Sequence, residues 1–153
     1  AKFNNSGCLE CNNYSVGESF ILNGITYVVA DTTILRTAIA DGDDLTRYCT
    51  SNIADMSHMF YAIGDFNQDI GSWDVSNVTN MNGIFSNATS FNQDIGNWDV
   101  SNVTDMSTMF SYADAFNQDL TQWCVSNFTS MPDDFSLNSG LPASNHPVWG
   151  TCP

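Results

Sequence analysis

The side chains with most chemical potential in this sequence are carboxylates, thiols and two imidazoles. Asp69, Asp94 and Asp119 recur every 25 residues in the same word, Phe-Asn-Gln-Asp, and Asp44 falls in the same frame. If each interval is one turn of a stacked chain, neighbouring carboxylates lie about 4.8 Å apart, one strand spacing. Such a column could hold Ca²⁺, a hard ion that takes about six to eight oxygens. No EF-hand loop and no glycine-rich nonapeptide calcium repeat accompanies it. The alternative is turn chemistry, because Asp and Asn in tight turns bond their own backbone. A second pair, Asp74 and Asp99, could mimic the two carboxylates of a glycosidase, although their identical place in the repeat makes stacking the simpler cause. The histidines, His58 and His146, stand far apart in the chain. No Ser/His/Asp order, metal motif or phosphate loop surrounds them, so the sequence predicts no enzyme.

These residues are positioned by a repeat. Phe66–Ser90 (FNQDIGSWDVSNVTNMNGIFSNATS) returns at once as Phe91–Ala115, and a third copy runs from Phe116 until Pro132 interrupts it. Asp44–Asp65 fits as a degenerate first copy. The columns are Tyr48/Trp73/Trp98/Trp123, Ile53/Val78/Val103/Phe128, Met56/Met81/Met106/Met131 and Phe60/Phe85/Phe110/Phe135. A fixed period of this length signals stacked units that cover one another's apolar faces. Ile70-x-x-Trp73-x-Val75 ends with period two and predicts a short strand with Trp73 and Val75 inward. Met81, Ile84 and Phe85 lie three and four apart, the spacing of one side of a short helix or 3-10 turn. The predicted fold is an α/β repeat solenoid, leucine-rich-repeat-like, with a strand and a helix or 3-10 turn in each coil. About four coils span 44–135.

Phe-Asn-Gln-Asp-Ile-Gly-Ser-Trp-Asp-Val-Ser-Asn-Val-Thr-Asn-Met and Trp-Asp-Val-Ser-Asn-Val-Thr-Asp-Met-Ser-Thr-Met-Phe resemble the BspA-like, or DUF285, surface-protein repeat. The resemblance covers about 44–135, and both flanks look similar to those of such proteins. It implies bacterial surface display, with adhesion or recognition but usually no defined ligand, and it brings no catalytic motif.

Caps are expected at both ends. Ser19–Leu22 and Ile25–Val29 flank Asn23-Gly24, the preferred two-residue hairpin turn. A helix over 33–40 follows, capped by Asp31 or Thr32 and closed at Gly42. With the polar residues 1–17 these make an N-terminal cap over 1–43. Residues 136–153 form the C-terminal cap, with Trp149 as its apolar anchor.

Cysteines occur at 8, 11, 49, 124 and 152. Cys49 and Cys124 share one repeat column, three strand spacings or about 14 Å apart, too far for a disulfide. Each is therefore expected to tie its end of the stack to the nearer cap: Cys124 to Cys152, and Cys49 to Cys8 or Cys11. Cysteines at the edges and none in the middle predict disulfides in an exported protein. Zinc at Cys8-x-x-Cys11 would need about four ligands, and only His58, His146 and Cys49 remain to supply them.

With Trp73 and Val75 inward, a polar face remains: Ser72, Asp74, Ser76, Asn97, Asp99, Ser101 and Gln122. It is the candidate binding face, because stacked repeats usually bind through such surfaces. Ser51-Asn52 and its repeats read as structural turns, as do the sequons at Asn77 and Asn102. Seventeen acidic residues against three basic ones give a formal charge of −14. Non-specific binding of nucleic acid is excluded, since phosphate contacts need Lys and Arg. Partners are expected among cations, neutral glycans and basic proteins, and the isolated domain is expected to be monomeric. No apolar run reaches membrane-spanning length, no signal peptide is present, and Ala1 points to a mature or excised form. The sequence reading is thus a non-catalytic, secreted or surface-bound recognition module. A spacer within a larger surface protein and a calcium-dependent module are its alternatives.

Overall fold

The computed structural model describes all 153 residues. Strands β1 (Lys2–Phe3) and β2 (Leu9–Glu10) form a small antiparallel ribbon. β3 (Ser19–Leu22) and β4 (Ile25–Val29) form the hairpin, turning through left-handed Asn23 and Gly24 at φ 52° and 80°. β4 also pairs in parallel with β5 (Tyr48–Cys49). Between them runs helix α1 (Thr32–Asp41). Asp31 caps it by accepting the Ile34 N–H at 2.8 Å, and Gly42 ends it in the left-handed conformation that glycine adopts without a Cβ penalty. Leu35 and Ala38 are the buried residues of α1, and Leu35 and Ala38 join the main core.

The predicted α/β, leucine-rich-repeat-like solenoid is overturned by this architecture. Regular structure consists of two small sheets and one helix, all within 1–49, with 3-10 turns at Leu45–Arg47 and Ala143–Asn145. From Thr50 to Pro142 there is neither strand nor helix. Two local effects defeat the period-based reading. First, short polar side chains bond their own backbone: Asp74, Asn80, Asp99 and Asp105 each accept the N–H two residues on. Second, the segment read as a helix contains left-handed residues, His58, Gly83 and Thr108 at φ 53°, 58° and 54°, and no right-handed helix runs through those. The spacing of Met, Ile and Phe instead reflects consecutive i→i+3 turns, such as Ile84 N–H to the Met81 carbonyl.

The period survives as contact between equivalent residues. Isolated parallel bridges join Asp55 to Asn80 and Asn80 to Asp105. The Trp73, Trp98 and Trp123 indoles donate to the Leu45, Ile70 and Ile95 carbonyls at 3.1, 3.2 and 3.1 Å. Phe60, Phe85 and Phe110 lie nearly parallel, centroids 5.5 and 5.7 Å apart, beside a second file of Phe66, Phe91 and Phe116. These rings fill one continuous core from α1 to Leu141. The Asn and Gln columns form a ladder: Asn67 and Asn92 Oδ1 accept the Asn92 and Asn117 N–H groups, and Gln93 and Gln118 reach back to the same two asparagines. Asn145 ends it, donating to the Asn117 carbonyl at 2.8 Å. The last copy, from Phe116, departs from the pattern. Met56, Met81 and Met106 are fully buried, whereas Met131, next to Pro132, is 49% exposed.

Candidate recognition face

The seven residues of the predicted face do not share one environment, because the N-terminal arm crosses it. Leu9 of β2 bridges to Trp73, and its N–H donates to the Ser72 carbonyl at 2.8 Å. The Leu9 carbonyl accepts from Ser51 Oγ at 3.3 Å. The Cys11–Cys49 disulfide fastens the arm to β5. Beneath it Asp74 is only 5% exposed, and its carboxylate accepts from the Ser76 N–H and hydroxyl at 3.1 and 2.7 Å.

One copy further on, beyond the arm, Asn97, Asp99 and Gln122 are exposed and Ser101 half-exposed. Asp99 holds the same turn, accepting from the Ser101 N–H and hydroxyl at 3.1 and 2.6 Å. Those bonds use one carboxylate oxygen, Oδ1, and the Asp99 side chain stays open to solvent. What remains is a short polar strip, anionic at its centre and bounded on one side by the arm.

The cysteine expectation resolves into Cys11–Cys49 and Cys124–Cys152, with Cys8 a free, buried thiol. Burial pushes the Cys8 thiol pKa up, and the charges of Asp74, Asp99 and Glu10 push it further. The thiol therefore stays protonated, unlike the low-pKa thiolate of a redox motif.

The column Asp69, Asp94, Asp119 is not brought together as a metal centre. Each carboxylate accepts the N–H two residues on, from Gly71, Gly96 and Thr121 at 3.1, 3.0 and 2.9 Å. No group of three or more His, Cys, Asp or Glu side chains converges anywhere in the molecule. The Thr121 hydroxyl, then its N–H, holds Asp119 below the usual carboxylate range; the Ser57 N–H does the same for Asp55, and the Thr46 hydroxyl for Asp44.

One pair escaped the sequence reading: Ser136 Oγ and His146 Nε2 stand 3.2 Å apart. His146 packs edge-on against Phe135, and burial lowers its pKa. The Leu141 backbone works against that shift but is outweighed by burial. The nine residues between Ser136 and His146 carry no signal for this contact, which the end of the stack creates.

A family model described as a Mycoplasma protein of unknown function, DUF285, matches residues 31–146. The chain belongs to the DUF285 family. The match takes in α1, the repeats and the Ser136/His146 pair, whereas the arm, the hairpin and Cys152 lie outside it. No curated protein and no solved structure matches the chain.

Proposed function

We propose that this DUF285 chain is a non-catalytic recognition module working outside the cell, and that it meets its partner through Asn97, Asp99, Ser101 and Gln122. The observation that carries the reading is the arrangement around the arm. The chain closes over Asp74 and leaves the equivalent Asp99 uncovered, on a backbone held by turn bonds, indole bonds and stacked rings. A surface so constrained loses little conformational freedom on binding. The two disulfides, one at each end of the stack, support an oxidising compartment. The strip is polar and anionic, which suits a neutral glycan or a basic protein surface.

The test is a binding screen on immobilised glycans and basic proteins with three proteins: wild type, Asp99→Lys, and Asp69→Lys as a charge-matched change off the strip. The reading requires a partner whose binding is lost in the first variant and kept in the second. Equal loss in both would reduce the effect to net charge, and no retained partner would remove the proposal.

A further inference from the structure

The bridge column through Asp55, Asn80 and Asp105 ends one rung early. In the earlier copies, Met56 N–H donates to the Asn80 carbonyl and Met81 N–H to the Asp105 carbonyl, both at 2.9 Å. The Thr79 N–H donates to the Ala54 carbonyl, and the Thr104 N–H to the Thr79 carbonyl, both at 2.8 Å. Continued by one copy, Met106 N–H would meet the Ser130 carbonyl and the Thr104 carbonyl would receive the Thr129 N–H. Neither bond forms. Thr129 and Ser130 bend away ahead of Pro132, and a cleft of about 320 Å³ opens between 104–107 and 127–133. The Met106 N–H is therefore left without a protein partner, and Met106 is one of the residues that line the cleft.

The two free groups flank Asp105. One residue of an extended strand laid parallel to 104–106 offers what both lack: its N–H to the Thr104 carbonyl and its own C=O to the Met106 N–H. The walls choose among strands. Asp105 and Asp133 line the cleft, and its apolar part is Met106, Phe128 and half-exposed Met131. Lys2, Arg36 and Arg47, the only basic side chains, are not among the lining residues.

We propose that this cleft is a docking site for an extended, basic peptide segment of another protein, which adds one strand rung at Asp105. A second copy of this chain is disfavoured as occupant by its charge of −14. The site is separate from the Asn97–Gln122 strip, so either proposal can fail alone.

The probe is acetyl-Thr-Lys-Val-Lys-Thr-amide, titrated into the ¹⁵N-labelled, disulfide-intact chain and followed by amide chemical shifts. The expected result is a saturable shift of Met106 with its neighbours Asp105 and Ser107, leaving Met56 and Met81 in place. The same peptide N-methylated at valine loses the donor for Thr104, and its shifts should vanish. The Glu-for-Lys peptide should not bind. Asp133→Lys, a change at an exposed side chain that makes no hydrogen bond, should weaken binding several-fold while the rest of the spectrum is preserved. Shifts that persist with the N-methylated peptide, spread over carboxylates elsewhere, or spare Met106 would each overturn the proposal.

Discussion

Gly71 and Gly96 lie hard against the backbone of the next copy, and replacing one measures how tightly the copies are stacked. A Cβ built on Gly71 meets the Asp94 carbonyl oxygen at 2.6 Å, and one on Gly96 meets the Asp119 carbonyl oxygen at 2.8 Å. Both neighbours are backbone, fixed by the Asn ladder, so a methyl group cannot be accommodated by a rotamer change. Gly64 is the control: its Cβ would meet Thr89 Oγ1 at 3.2 Å, the end of a rotatable side chain. Overpacking costs about 1–3 kcal/mol, while Gly→Ala recovers about 0.4–1 kcal/mol from the unfolded chain. Gly71→Ala should therefore lose about 1.5 kcal/mol net, and Gly64→Ala should stay near neutral. In a chain of this size, 1 kcal/mol moves Tm by about 2–4 °C, so calorimetry should find Gly71→Ala lower by roughly 3–6 °C. Equal midpoints for the two variants would refute the reasoning, because the copies would then have to separate at no cost.

Asn92→Ala should cost about 1 kcal/mol in urea unfolding, since the Asn117 N–H and the Gln118 amide lose an acceptor. Asn92→Asp keeps that oxygen and should cost less; equal losses would deny the ladder its role. Cys8 should resist a thiol reagent in the native protein and titrate as one thiol per chain once unfolded; rapid native reaction would contradict its burial. Millimolar Ca²⁺ should leave Tm unchanged, because the Asp69, Asp94 and Asp119 carboxylates are committed to their own turns; a rise reversed by EDTA would show otherwise. Stability should fall in acid in two stages. Burial lowers the His146 pKa, so below about 6.5 the unfolded chain takes up a proton that the folded chain declines. The depressed carboxylates of Asp55, Asp44 and Asp119 contribute stability above about 4, and it is lost as pH falls through their folded values. In alkali, hydrogen bonding to Asp43 raises the Tyr48 pKa to about 12, so its contribution is complete below 10 and lost as pH rises through 12. A pH–Tm profile flat from 7 to 3 would contradict the acid stages.

The sequence by itself determined what identical residues at identical intervals must do. Equal spacing brings equal groups together, so the Trp and Phe columns, the hairpin at Asn23-Gly24 and the α1 caps were legible from side-chain type alone. Disulfide partners were legible up to the choice between Cys8 and Cys11, because column spacing forbade Cys49–Cys124. The local conformation of the copies was misread, since turns of three residues bury Met81, Ile84 and Phe85 as well as a helix would. Asx bonding and left-handed residues decided between the two, and apolar spacing does not report either. Only the tertiary structure decided which part of the polar face is free, because the arm reaches Ser72 from more than 60 residues away in sequence. It alone also opened the rung beside Asp105 and joined Ser136 to His146. Both arise where the repeat ends, and a rule built on periodicity has nothing to say where the period stops.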